Sequence, residues 1–253
     1  MQLTWSVFTK PWPSLTAHEL GKKVAALGFD AIELPVRDGF AVTPARVGQD
    51  LPGFAKALAD EGVRIGSVAS TTDEAVFAAC AQVGVPIIRI MLPVGPAGYL
   101  AAERDIRRQL EATLPLCERY GVQLGIQPHH GAYISDATGL RALIEPFPSQ
   151  FVGAVWDAAH DALAGQLPEY SLELLWSHLT MVNFKNGHYQ RTDESWRTYF
   201  TAGKDGMADW PRIAAYLKRR EYQGTICLTA EYSAPGAVDD MIGPDLEYAK
   251  SLF

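Results

Sequence analysis

One pattern recurs along the chain: a helical stretch closes on a glycine, and a short apolar run follows within a few residues. It is present in ALGFDAIEL, DEGVRIGS, QVGVPIIRI, RYGVQLGI and REYQGTICL. Glycine takes up the left-handed backbone conformation that ends a helix without steric cost. The repeat therefore predicts helices that alternate regularly with strands.

Eight apolar runs rich in β-forming residues fit this alternation as strands. Most are continuous apolar runs, which is typical of parallel strands covered on both faces. They are LTWSVFT from Leu3, AIEL from Ala31, VRIGSVAS from Val63, IIRIM from Ile87, QLGIQP from Gln123, VGAVWD from Val152, MVNFK from Met181 and GTICLTAEY from Gly224. Between them lie helical periods, as in Trp210, Ile213, Ala214 and Leu217. We predict the α/β class and a single (β/α)8 TIM barrel. No linker or shift in composition divides the chain, so residues 1–253 are expected to form one domain.

Charge and composition exclude several classes of function. The formal net charge is −7, and no basic stripe with interleaved aromatics is present, which disfavours nucleic acid as a partner. No apolar run approaches the ~18 residues of a membrane span, and MQLTWSVFTKPWPS lacks the features of a signal peptide. The sequence thus indicates a cytoplasmic protein without a membrane partner. The three cysteines are odd in number and far apart, so no disulfide framework is expected.

Polar side chains follow the predicted strands where each one ends. They are Glu33 on the second strand, Gln127, His129 and His130 on the fifth, Asp157 and His160 on the sixth, Asn183 and Lys185 on the seventh and Glu231 on the eighth. In a closed parallel barrel the carboxyl ends of the strands meet at one face and form the active site. We expect these side chains to converge there.

Four of these residues have the chemistry of a divalent metal site. Mg²⁺ and Mn²⁺ prefer oxygen ligands, and such an ion polarises a carbonyl group as a Lewis acid. Asp157 and Glu231 supply two anionic ligands. Gln127 and Asn183 add carbonyl oxygens, which attract a cation less strongly than a carboxylate does. Each of these two amides is equally interpretable as a hydrogen-bonding group for substrate in a pocket without metal.

At these residues the whole chain resembles the xylose isomerase-like TIM-barrel superfamily, which includes sugar isomerases, ketose epimerases, inosose dehydratases and relatives of an apurinic endonuclease. GFDAIEL is similar to the motif on its second strand, and VWDAAH to the Asp-x-x-His motif on its sixth. MVNFKN resembles the His-x-Lys-Asp motif of the seventh strand. GMADWPRIAAYLKRREYQGTICLTAE resembles the closing segment that ends in the glutamate of the eighth.

The resemblance implies a metal set of Glu, Asp, His and Glu, which falls on Gln127, Asp157, Asn183 and Glu231. Two of the four ligands are altered. A divalent Mn, Mg or Co ion is therefore expected to bind weakly or not at all. In the family, the glutamates of the fifth and eighth strands also move protons, and an amide such as Gln127 is unable to act as a base. A route with one base, through Glu231 or through a histidine, survives this change.

The resemblance also implies roles for the remaining residues. His160 and Lys185 correspond to family residues that contact substrate oxygens, and with Glu231 they form the predicted catalytic set. His129 corresponds to a histidine on the fifth strand, where it is expected to bind substrate or to replace a metal ligand. Glu33 either binds substrate hydroxyls or forms a structural salt bridge.

We predict an isomerase or epimerase of a sugar, keto-sugar or cyclitol that works by proton transfer next to a carbonyl, with an altered metal site. Two alternatives stay open: a dehydratase or lyase of the same superfamily, and a non-catalytic carbohydrate-binding barrel. The expected partner is a small carbohydrate, and a homo-oligomer is left open. The segment NGHYQRTDESWRTYFTAGKDG is predicted to be a long loop that covers the site or contacts a second subunit.

Overall fold

Eight parallel strands close into a barrel. The structure is a computed structural model that describes residues 2–236 and 238–253. The strands are β1 (Leu3–Phe8), β2 (Ala31–Pro35), β3 (Arg64–Ala69), β4 (Ile87–Met91), β5 (Gln123–Gln127), β6 (Val152–Asp157), β7 (Leu179–Phe184) and β10 (Gly224–Leu228). Their order around the barrel is β1-β10-β7-β6-β5-β4-β3-β2. This arrangement confirms the predicted (β/α)8 TIM barrel.

Helices follow the strands and cover the outside of the barrel. They are α1 (Ala17–Leu27), α2 (Val47–Asp60), α3 (Glu74–Val83), α4 (Tyr99–Tyr120), α5 (Ala137–Ile144), α6 (Ala158–Leu163), α7 (Pro168–Leu175), α8 (Trp210–Arg219) and α9 (Val238–Ser251), with single 3-10 turns at Pro44–Arg46 and Trp176–His178. No helix within the described residues is both long enough and apolar enough to cross a membrane.

Four of the five glycines in the recurring pattern have the predicted backbone. Gly28, Gly62, Gly84 and Gly121 all have φ between 64° and 87° after a helix. The fifth prediction is wrong. Gly224 is the first residue of β10, and the left-handed residue at that joint is Glu221, with φ 53°. A Cβ atom on Gly224 would lie 2.7 Å from the Tyr222 hydroxyl group, so a side chain at this position would clash.

The interior of the barrel is filled by side chains from several strands. Phe8, Ala69, Val155, Met181 and Cys227 come from five different strands and pack on one another. Such layers are the usual filling of a TIM barrel. They form an apolar floor beneath the carboxyl ends of the strands, where the polar side chains begin. All three cysteines are free and buried.

The segment between β7 and α8 is a hairpin, where the sequence predicted an irregular loop. Strands β8 (Asn186–Arg191) and β9 (Trp196–Thr201) pair antiparallel. Asn186 binds the base of this hairpin to the segment that leads into α8, because its amide donates to the carbonyl oxygens of Gly203 and Ala208, each at 2.8 Å. Phe200 of β9 lies over Lys185, the residue that follows β7.

Candidate active site

A cavity opens at the carboxyl ends of the strands, with a volume of about 380 Å³ including its open mouth. Five of the predicted site residues line it: Gln127, His129, His160, Asn183 and Glu231. Six further lining residues were not predicted: Phe8, Lys10, Arg37, Arg89, Met91 and Thr229. The predicted residues Glu33, Asp157 and Lys185 contact this lining through hydrogen bonds. The structure thus brings all eight residues of the predicted site together at one end of the barrel.

A buried ion pair forms the base of the cavity. The Nε of Arg89 donates to Oε1 of Glu33 at 2.7 Å, and both side chains are almost inaccessible to solvent. Burial disfavours the charged guanidinium, but Glu33 outweighs it and raises the pKa of Arg89. Ser67 donates a second hydrogen bond to the same oxygen of Glu33 at 3.2 Å. Of the two roles expected for Glu33, the structure contains the salt bridge.

The amide of Gln127 connects this ion pair to Asp157. Its Oε1 accepts a hydrogen bond from Nη1 of Arg89 at 2.5 Å, and its Nε2 donates to Oδ2 of Asp157 at 2.8 Å. Arginine only donates and a carboxylate only accepts, so these neighbours fix the orientation of the amide. A glutamate at position 127 would direct an acceptor at the Asp157 carboxylate. The amide is therefore the side chain that this network requires.

Asp157 is saturated with hydrogen bonds from the protein. Its Oδ1 accepts from the backbone N–H of His160 at 3.1 Å, which makes Asp157 the N-cap of α6. Its Oδ2 accepts from Gln127 and, at 3.4 Å, from Nδ2 of Asn183. Burial raises the pKa of this carboxyl group. On the other side of the amide, Oδ1 of Asn183 is buried without a partner among the described residues.

Glu231 lies between two ammonium groups. Lys185 donates to its Oε2 and Lys10 to its Oε1, both at 2.6 Å. Burial by itself would raise the pKa of Glu231, but the two lysines outweigh it and lower that pKa to about 2. The side chain of Glu231 is consequently a carboxylate throughout the neutral range. While both lysines are bound, it is a weak base.

Three histidines, two from the loop after β5 and one from α6, meet beside the cavity. His129 and His160 have ring centroids 4.0 Å apart, and Nδ1 of His130 lies 2.8 Å from Nδ1 of His160. Burial lowers the pKa of all three rings, that of His130 to about 4, and the charge of Lys185 adds to the effect. The rings are therefore neutral imidazoles at neutral pH. In the bond between His130 and His160 one ring donates and the other accepts, so the pair is able to hold or release a proton.

Phe200 of β9 covers this group of side chains. The Nζ of Lys185 lies 3.5 Å from the centre of its ring, and the rings of His130 and His160 meet its face or edge at 6.1 Å. An ammonium group is attracted by the face of an aromatic ring. The hairpin thus holds Lys185 between Glu231 and the histidines.

The predicted metal ligands do not match an oxygen-rich site for a divalent ion. Gln127, Asp157 and Glu231 direct their oxygens at donors from the protein, three of which belong to the cations Arg89, Lys185 and Lys10. Among these four ligands, only Asn183 Oδ1 lacks a donor within the described chain. A second set of donors is present in His129, His130 and His160, whose ligand nitrogens lie within 4.8 Å of one another. Imidazole nitrogens suit zinc, copper or nickel better than magnesium.

Sequence reasoning missed three cations of the cavity. Arg89 is the single charged residue in IIRIM, an apolar run typical of a strand that is covered on both faces. Because a buried charge needs a partner, that arginine was the available signal. Lys10 and Arg37 each lie two residues beyond a barrel strand. His129 lies at the same distance from the end of its strand, and this match would have suggested Lys10 and Arg37 as site residues.

Comparison with known proteins agrees with this fold. The family model described as xylose isomerase-like TIM barrel matches residues 22–252. No curated protein matches the sequence significantly. Among solved structures, 3-keto-D-glucoside 4-epimerase from E. coli is similar, with a TM-score of 0.78 and 13% identity over 99% of this chain and 100% of that chain.

Two further solved structures are similar to this chain. The probable 3-DHS dehydratase from Bacillus anthracis gives a TM-score of 0.75 and 14% identity, with 98% of each chain covered. A xylose isomerase-like TIM barrel protein from Mycobacterium smegmatis, solved with magnesium, gives a TM-score of 0.70 and 17% identity over 95% of this chain and 90% of that chain. Epimerases and a dehydratase thus share the fold.

Removal of Arg89 should destabilise the protein strongly. The Arg89→Met variant leaves the fully buried Glu33 without its counter-ion, and breaking a buried pair costs about 3–5 kcal/mol. Urea unfolding monitored by circular dichroism measures this loss. Adding Glu33→Gln to the variant should restore part of the stability, because the second change removes the uncompensated charge.

The exposed pair of Arg141 and Glu145 supplies the matched control. Arg141→Met should leave the unfolding curve almost unchanged, since exposed ion pairs contribute little. Equal losses for Arg89→Met and Arg141→Met would contradict the role given to the buried pair.

Proposed function

The chain belongs to the xylose isomerase-like TIM barrel family, and we propose that it is an enzyme that moves a proton next to the carbonyl group of a sugar, keto-sugar or cyclitol. Isomerisation and epimerisation both begin with this step. The observation that carries the proposal is the arrangement around Lys185. Its ammonium group lies against the Glu231 carboxylate, and Phe200 holds it close to the neutral imidazoles of His130 and His160.

Lys185 is suited to stabilise the negative charge of the reaction. When a proton leaves the carbon next to a carbonyl, charge develops on the carbonyl oxygen. A fixed cation in a site that excludes water stabilises that charge at little cost of reorganisation. Lys185 is almost fully buried, and its position is set by Glu231 and by the ring of Phe200.

Two groups are available for the proton. His160 lines the cavity as a neutral imidazole, and its Nδ1 is held by His130, so we assign Nε2 to the substrate proton. Glu231 lies on the other side of Lys185. A substrate oxygen that takes a hydrogen bond from Lys185 competes with Glu231, which weakens that ion pair and strengthens the carboxylate as a base. In the family pattern the two bases are the glutamates of the fifth and eighth strands. Gln127 is unable to act as a base, and His160 takes that role beside Glu231.

We further propose that the reaction proceeds without a divalent metal ion. The charge that such an ion would supply is present here in Lys185 and Arg89, and oxygens of the predicted ligand set point at these cations. In such a site, three further residues line the pocket and form hydrogen bonds to the substrate: Gln127, His129 and Asn183.

A dehydratase shares the first step and differs in the second, in which a hydroxyl group leaves the neighbouring carbon. A dehydratase is among the similar structures, and for this reason dehydration is the second candidate reaction. The two reactions are separated by their products, because elimination yields an unsaturated ketone that absorbs in the ultraviolet.

Hydrogen exchange in D₂O should detect the proton transfer directly. A panel of ketohexoses, cyclic keto-polyols, keto acids and keto-sugar phosphates is incubated with the protein, and deuterium at the carbon next to the carbonyl is followed by NMR. Glu231→Gln, His160→Gln and Lys185→Met should each slow the exchange about 100-fold or more, because acid–base groups contribute 10²–10⁴-fold. His178→Gln, at the amino end of β7, should retain the rate. A binding-only protein would give no exchange with any compound.

The pH dependence should identify the base. An imidazole accepts a proton only in its neutral form, and burial lowers the pKa of His160 well below its ordinary value of 6.5. We expect the exchange rate to stay level from pH 8 through 6.5 and to fall only at a pH well below that value. Rates are compared only where circular dichroism indicates folded protein. A midpoint near 6.5 would refute the neutral cluster, and a level rate down to pH 3 would assign the step to Glu231 alone.

Metal removal should leave the exchange rate unchanged. The rate is measured before and after treatment with EDTA, with metal content determined by mass spectrometry. In parallel, Gln127→Glu combined with Asn183→His should bind Mn²⁺ at least about tenfold more tightly than the original protein in calorimetry, because it adds a charge and an imidazole ligand. Gln109→Glu, on the exposed face of α4, is the control. Loss of exchange on chelation would contradict the proposal, whereas equal Mn²⁺ affinity in both proteins would mean that the pocket is not arranged around an ion.

A further inference from the structure

Arg37 differs from every other cation of the cavity. Arg89 is paired with Glu33, and Lys185 and Lys10 are both paired with Glu231. Arg37 also lines the cavity, but within the described residues no carboxylate forms an ion pair with it, and its side chain makes one hydrogen bond, from Nε to the carbonyl oxygen of Ala69 at 3.3 Å. Its two Nη groups have no hydrogen bond to any described residue.

The backbone holds Arg37 in place. Its N–H donates to the carbonyl oxygen of Val42 at 3.2 Å, and its own carbonyl oxygen accepts from Phe40 at 3.2 Å. The guanidinium carbon lies 6.0 Å from the centre of the Phe8 ring, and Phe8 lines the same cavity. The side chain is thus anchored at its stem, while the forked end of the guanidinium is left without a partner.

An unpaired, half-buried guanidinium group is unfavourable by itself. Burial and the repulsion of Arg89 both lower the pKa of Arg37. A guanidinium fork matches the two oxygens of a carboxylate or phosphate and forms paired, charge-assisted hydrogen bonds with them. An anionic ligand would compensate the charge, which a neutral sugar hydroxyl is unable to do.

The charges of the whole site favour an anion as well. The site contains four cations and three carboxylates, although the formal net charge of the chain is −7. The cations are Lys10, Arg37, Arg89 and Lys185, and the carboxylates are Glu33, Asp157 and Glu231. A local excess of positive charge inside an acidic protein attracts small anions to that site.

We propose that the substrate carries an oxyanion group, a carboxylate or a phosphate ester, and that Arg37 binds it. The inference rests on the proposed function and specifies its substrate. Arg37 follows β2 and Lys185 follows β7, and β1 and β10 lie between these strands in the barrel. The anionic group is therefore bound across the cavity from the reacting carbonyl, and the substrate is held at both ends.

The test is calorimetric binding of compounds that lack a carbonyl group and so are not turned over. D-gluconate, D-glucitol 6-phosphate and neutral D-glucitol are titrated into the protein at low salt. At least one of the two anions should bind about tenfold or more tightly than D-glucitol. The anion that binds more tightly distinguishes a sugar acid from a sugar phosphate as the substrate class.

Variants of Arg37 complete the test. Arg37→Met should reduce the affinity for the preferred anion to that for D-glucitol, and Arg37→Lys should retain part of the preference. Arg64→Met removes an exposed arginine that donates to Thr4 at the other end of the barrel, and it should bind like the original protein. Circular dichroism checks that each variant is folded. If Arg37→Met is not folded, Arg37→Lys still tests the proposal.

Equal affinity for all three compounds, no measurable binding of either anion, or an anion preference that survives both Arg37 variants would overturn the proposal. The proposed function fails separately. If the anions bind as expected but no keto acid or keto-sugar phosphate exchanges its proton, the catalytic assignment is wrong and the anion site stands. If neutral keto-sugars exchange as fast as anionic ones, only the anion site is wrong.

Discussion

The guanidinium group of Arg89 is the centre on which the rest of the site depends. It lies in the middle of β4, shielded from solvent, and it binds Glu33 on one side and the amide oxygen of Gln127 on the other. Without this cation, Glu33 would be a buried charge with no counter-ion. Because Arg89 fixes the amide oxygen, the amide nitrogen of Gln127 must face Asp157. One buried cation thereby determines the hydrogen bonds of three strands.

This network changes how the site handles charge. In a site with a divalent ion, carboxylates converge on the metal and the metal faces the substrate. Here the same corner of the barrel contains arginine and lysine side chains, and the carboxylates of Glu33 and Glu231 face those cations. Fixed arginine and lysine side chains are able to stabilise a developing oxyanion as a metal ion does. They differ from a metal ion because they bind through directed hydrogen bonds and because carboxylates already compensate part of their charge. Gln127 and Arg89 thus belong to one hydrogen-bond network.

The sequence predicted the barrel and the gathering of the candidate site residues at one end of it, because both follow from general rules. Glycines close helices, apolar runs form strands, and the carboxyl ends of parallel strands share a face. The sequence did not predict the pairing within the site. Arg89 and Glu33 are 56 residues apart, and no local pattern connects them. At the joint before β10, the left-handed residue is Glu221, and the space at Gly224 is limited by the Tyr222 hydroxyl group. The recurring glycine pattern reveals neither feature.

Lys185 links the two halves of the proposed chemistry. Its charge stabilises the Glu231 carboxylate and, across the face of Phe200, adds to the burial that keeps the three imidazoles neutral. The same ammonium group that would hold the carbonyl oxygen therefore also keeps the proton acceptors free of protons. If a substrate oxygen draws Lys185 away from Glu231, the proton affinity of the carboxylate rises at the moment when charge develops on that oxygen. Binding and base strength would then be coupled through one side chain, with no need for a conformational change of the barrel.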